Sequence, residues 1–85
     1  MSPAERRQFA LAFGKALKLV REGAHLSQEE FAHRAGLERT TPSSLECGRR
    51  SPTAYNLVRI ARVLGIDPPL LLRMTLRLME VPNEA

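Results

Sequence analysis

The chain has 85 residues, 44% of them apolar, a single cysteine and a net charge of +4. At this length one domain spanning residues 1–85 is expected, burying only about 60% of the surface its unfolded form exposes, too little to enclose an active site beneath a lid. Cys47 alone gives no disulfide framework, no apolar run approaches the roughly 18 residues of a membrane span, and Met1-Ser2-Pro3-Ala4-Glu5 lacks the basic and apolar stretches of a secretory signal, so a cytoplasmic protein is expected.

Eleven of the thirteen basic residues are arginine, and the pI is about 10.2. Such a balance fits a polyanion partner, and it equally fits the codon usage of a GC-rich genome. Where the arginines lie must decide between the two.

Five helices are predicted in chain order, separated by glycine and proline. Ser2, Pro3 and Glu5 form a capping box with proline at the first helical position. Phe9, Phe13, Ala16, Leu17 and Val20 follow at helical spacing, and Gly23 is expected to stop this first helix. Ser27-Gln28-Glu29-Glu30 is a second capping box, opening a helix that buries Phe31, Ala32 and Ala35 and ends at Gly36. A third helix is expected from Thr41-Pro42 to Gly48, followed by the basic loop Arg49-Arg50-Ser51-Pro52. Thr53 caps a fourth, with Leu57, Ile60, Ala61 and Leu64 on one face and Gly65 after it. Asp67-Pro68 opens a fifth helix running to about Glu80, and the tail 82–85 is expected to fray.

The pattern from Gln28 to Gly48 is the informative one. Ala32 allows two helices to approach closely, Gly36 makes the tight turn, and Leu37 and Leu45 plug the core from either end of the next helix. A small residue, a glycine four positions later and an apolar anchor suit a helix-turn-helix, whose second helix crosses the first steeply. In these residues, and in Phe13-Gly14-Lys15 through Arg21, Leu26 to Leu37, Leu45 to Thr53 and Leu57 to Pro68, the chain resembles the phage Cro/repressor-type (XRE-like) helix-turn-helix DNA-binding family over about residues 9–72.

The resemblance implies an all-α, compact five-helix bundle that binds double-stranded DNA as a homodimer, with the third helix in the major groove. Gln28 matches the family's glutamine that donates to a phosphate, and Arg21 and Glu46 match an arginine–glutamate pair joining helix one to the end of helix three. Arg39, Thr40, Ser43 and Ser44 fall at base-facing positions, while Thr41, Arg49 and Arg50 join Gln28 as expected phosphate contacts. General physical arguments agree. A helix N-terminus favours a phosphate near Gln28, Arg39 is the one long donor beside the recognition helix, and Arg49 and Arg50 follow a glycine in a loop from which they can reach a backbone.

Pro42 departs from the family, which carries a bulky apolar residue there. Proline pushes Thr41 out of helical geometry, so the third helix is expected to start about one turn late, with Thr41 as cap and Pro42 first. Arg39 and Thr40 would then project from a loop. Glu38 brings a negative charge toward the same surface, and Thr40, Thr41, Ser43 and Ser44 are short readers.

Other features carry less. His25 and His33 do not form a metal-ligand spacing with Cys47, and no cofactor or metal is expected. Cys47 reads as a small filler before a helix-ending glycine, with a redox switch as its sharper alternative. No catalytic constellation is present, so no enzyme is expected. On helix five, Leu70, Leu71, Met74, Leu78 and Val81 make one apolar face, while Leu72, Leu76 and Met79 make a second strip. This second strip is the expected dimer interface, the alternative being that the helix folds wholly onto its own core.

The reading is a transcriptional regulator, by default a repressor acting on a pseudo-palindromic site. Its rivals are the controller protein of a restriction–modification operon, an antitoxin using helix five against a toxin, and a helix-turn-helix module used only for protein interaction. RNA polymerase is a further partner if the protein activates.

Overall fold

Five helices make up the described part of the chain, residues 2–80 of the computed structural model: α1 (Pro3–Gly23), α2 (Gln28–Ala35), α3 (Thr41–Glu46), α4 (Ala54–Val63) and α5 (Pro68–Glu80). There is no strand among the described residues, and the expected all-α architecture is the one that forms. Val81 and the tail at 82–85 lie outside the described residues. No helix among the described residues is long and apolar enough to cross a membrane.

The helix starts follow their side-chain chemistry. Ser2 Oγ accepts from the Glu5 N–H at 3.1 Å while Glu5 Oε1 accepts from the Ser2 N–H at 3.1 Å. Ser27 and Glu30 repeat this exchange at 3.0 and 2.9 Å, and Thr53 Oγ1 accepts from the Asn56 N–H at 3.0 Å. Each such cap satisfies amide groups that have no acceptor inside their helix.

The first four helices end in one way, with two N–H groups reaching back to carbonyls three and five residues earlier. The first of the two donating residues is left-handed: Gly36, Gly48 and Gly65 after α2, α3 and α4, but His25, at φ 60°, after α1. α1 ends at Gly23 as expected, but the left-handed reversal falls two residues later, on a side chain that tolerates it less well.

Phe13, Leu17, Phe31, Leu45, Ile60 and Leu71 are fully buried and form the centre of the core. Both α3 and α5 pack on α1, with α5 the larger neighbour. On α4, Ile60 and Ala61 face the interior while Leu57 and Leu64 flank them, half-buried. On α5 the inner stripe is Leu71, Met74, Thr75 and Leu78. Leu70, expected on that stripe, is 42% exposed, because one residue is about 100° of helical rotation away from Leu71. Thr75 is fully buried, and its hydroxyl donates to the Leu71 carbonyl at 3.0 Å, so the polar group is satisfied within its own helix.

Pro42 shortens α3 to six residues. The start differs from expectation by one position: Thr40 stands before the helix without capping it through its side chain, Thr41 is first and Pro42 second. A proline in the first turn loses no intrahelical hydrogen bond. Its ring is fully buried, so an apolar group does occupy this position of the core.

Candidate nucleic-acid interface

One carboxylate ties three helices together. Glu46, the last residue of α3, accepts from Arg21 Nε at 2.6 Å on Oε2 and from Arg21 Nη2 at 3.0 Å on Oε1. The same Oε1 accepts from Gln28 Nε2 at 3.1 Å, at the first residue of α2. Arg21 also donates Nη1 to the Leu26 carbonyl at 2.7 Å, in the connection between α1 and α2. The ion-paired side chains are 9% and 6% exposed, so each charge depends on the other for solvation. The hydrogen bond to Glu46 raises the Arg21 pKa above its ordinary value, and the guanidinium stays charged.

Gln28 is half-buried, and one amide N–H is taken up by Glu46, which fixes the direction of the group. The bond leaves its second amide N–H available. Ahead of α3, Arg39 and Thr40 lie in an exposed turn, as the displaced helix start requires. Ser43 and Ser44 are half-buried on α3. Thr41, expected at a phosphate, is only 7% exposed, in the first turn of α3 beside the inward-turned Pro42. After α3, Arg49 and Arg50 are exposed.

Arg49 does not hang freely. Its Nε donates to Cys47 Sγ at 3.0 Å. That hydrogen bond holds the exposed Cys47 thiol below its ordinary pKa. Cys47 is therefore a small surface residue before the helix-ending Gly48 whose sulfur also holds an arginine.

Sequence reasoning missed three positioning elements. Gly14 is the first: a Cβ there would lie 2.5 Å from the carbonyl oxygens of Leu45 and Glu46, so the backbones of α1 and α3 touch at that point. Gly48, at φ 76°, is the second, because a Cβ on it would lie 2.6 Å from Leu11 Cδ2. The third is Arg59 on α4, whose guanidinium donates to the Ala35 carbonyl at the end of α2 and sits 5.4 Å from the centre of the Tyr55 ring. A cation at a helix C-terminus meets the negative end of the helix dipole. The Phe13-Gly14 pair was visible in the family pattern, but nothing in the sequence marked Arg59 against the other arginines.

A helix-turn-helix family model matches residues 17–71, which spans α2, α3 and α4 with the last turns of α1 and the first residues of α5. The chain belongs to the helix-turn-helix family. Among helix-turn-helix relatives, it is 46% identical over 57 residues to the control protein C.MunI of Mycoplasma sp., covering 66% of this chain and 77% of that protein. It is 35% identical over 66 residues to the control protein C.BamHI of Bacillus amyloliquefaciens, covering 76% and 82%. The crystal structure of the restriction-modification controller protein C.AhdI from Aeromonas hydrophila superimposes with a TM-score of 0.70 at 34% identity, over 73% of this chain and 90% of that one. The clp gene regulator ClgR from Corynebacterium glutamicum shares the fold at a TM-score of 0.78 over 84% of this chain.

Proposed function

We propose that this helix-turn-helix chain is a double-stranded-DNA-binding transcriptional regulator of the controller-protein kind, acting as a homodimer on a pseudo-palindromic operator. The observation that carries this reading is the placement of cations at both ends of a short, rigidly held α3. Arg39 stands before the helix, Arg49 and Arg50 stand after it, and the Arg21–Glu46–Gln28 network fixes the helix between them. Likeness to C.MunI, C.BamHI and C.AhdI supports the controller assignment.

Each residue has a role in this reading. Gln28, Arg49 and Arg50 contact phosphates and set the register of the domain on the duplex. Arg39 reads a base edge, guanine being the commonest partner of arginine, and Thr40, Ser43 and Ser44 add weaker discrimination. Occluding a promoter represses transcription without further machinery. On α5, Leu72 and Leu76 are 39% and 46% exposed one turn apart, with Met79 half-buried beyond them. This strip is the proposed contact between two copies, which would place two recognition helices about 34 Å apart along the DNA.

The test is selection of bound duplexes from a random pool at two salt concentrations, repeated with Arg39→Ala. The expected result is a two-half-site motif that survives the higher salt and loses definition at one base pair in the variant. Sedimentation of wild type and Leu76→Asp should give a dimer and a monomer respectively. No enrichment, with binding that disappears as salt rises, would refute the regulator.

A further inference from the structure

Beside the region already described, the first turns of α1 and the loop after α3 enclose an open cleft of about 340 Å³. Four arginines line it: Arg6 and Arg7 from α1, and Arg49 and Arg50 from the loop. No carboxylate lines it. Glu5, the acidic residue of the same helical turn, is held by the Ser2 N–H at 3.1 Å. Among the described residues Arg21–Glu46 is the one ion pair, so none of the four guanidinium groups is paired with a described carboxylate.

The cleft is built by the backbone, not by chance side-chain placement. Gly48 has no Cβ to hold the loop away from Leu11, so the chain settles directly on α1. The paired hydrogen bonds that end α3, Gly48 N–H to Leu45 at 3.2 Å and Arg49 N–H to Ser44 at 3.0 Å, then aim the loop along α1 toward its N-terminal turns. Arg49 is further held by Cys47 Sγ through Nε, which leaves its two terminal nitrogens to point elsewhere. Four like charges brought together by a fixed backbone repel one another unless an anion lies between them. The planar forks of arginine match the paired oxygens of a phosphodiester.

We infer that this cleft is a backbone-phosphate clamp, in which Arg6 and Arg7 extend the contact made by Arg49 and Arg50 to a neighbouring phosphodiester of the bound duplex. The inference rests on the DNA-binding reading above and adds two residues outside the helix-turn-helix proper. Continuity with Arg49 and Arg50 favours DNA over an acidic protein segment. The clamp sets affinity and register and leaves base preference to Arg39 and its neighbours.

The experiment compares the full-length wild type with Arg6→Gln/Arg7→Gln on the duplex recovered by selection, across salt from about 50 to about 200 mM. Both positions are exposed, and thermal unfolding should coincide for the two proteins. The variant is expected to bind more weakly with the same base preference. Its affinity should fall about 3.5-fold less than that of wild type over this salt range for each phosphate contact removed. Phosphate ethylation should identify one backbone position that weakens wild type and leaves the variant unaffected. Unchanged affinity and salt slope in the variant would overturn the clamp while leaving the regulator intact, and would give the cleft to an acidic protein surface. Failure of wild type itself to bind any selected duplex would overturn both.

Discussion

The two ends of α3 are built on opposite principles. At its C-terminal end, Glu46 is buried with Arg21, bonded to Gln28 and set against the bare backbone of Gly14. At its N-terminal end, Arg39 and Thr40 occupy an exposed turn, and Thr40 offers no side-chain cap. One end is held by groups that cannot change partners without leaving a charge or an amide stranded. The other presents side chains that nothing in the domain commits. A site that must recognise a variable ligand from a fixed scaffold needs both: the scaffold carries the buried polar network, and the exposed turn can change without cost to the fold.

The sharpest way to break this contrast is Glu46→Ala. It leaves Arg21 buried without its partner and should cost about 3–5 kcal/mol, most of the stability of a small domain, measurable by urea unfolding. A loss below about 1 kcal/mol would mean that the junction is not held by its ion pair. Next comes Gly14→Ala, where a methyl group would meet two backbone oxygens at 2.5 Å. The expected destabilisation is about 1–3 kcal/mol or more. Gly23→Ala, in the same helix with nothing within 4 Å, should instead stabilise by up to about 1 kcal/mol. His25→Gly should raise the melting temperature, removing a left-handed side-chain conformation worth about 1 kcal/mol.

The smallest effect sharpens the picture at the exposed loop. Because hydrogen bonding to Arg49 lowers the Cys47 pKa, the thiolate is populated at lower pH than for an ordinary thiol. Its alkylation rate should therefore rise through a lower pH, and Arg49→Gln should move that profile upward. A profile that ignores the substitution would separate Arg49 from Cys47 in solution.

Much of this was legible in the sequence because the signals were local. The capping boxes at Ser2–Glu5 and Ser27–Glu30 need only a serine and a glutamate three residues apart, and both form. Pro42 restricts its neighbours by sterics alone, and α3 does begin late. What failed depended on rotation or on distant partners. Gly23 does end α1, but the left-handed turn falls on His25, which lets Leu26 approach the core. Leu70 and Leu71 are equally apolar, and only the packing of α5 on α1 decides which is inward. Thr41 is nearly buried beside the Pro42 ring, an exposure that its residue type does not mark. Arg59 reaches the end of α2 across 24 positions of chain, a relation no spacing rule contains. The four-arginine cleft is of the same kind, since Arg6 and Arg7 are remote from Arg49 and Arg50 until Gly48 lets the loop down.

Gly14 and Arg21 stand seven positions apart on α1, and both address the last residues of α3. Seven residues are close to two turns of helix, so the two lie on one face about 10.5 Å apart along the axis. This stretch therefore works as a ruler. Adding or deleting one residue between them would swing one contact about 100° away from α3 while the other stayed in place. A whole turn inserted between them would keep both on one face but move them about 5.4 Å further apart along the axis, so the interval from 14 to 21 has a fixed length as well as a fixed rotation.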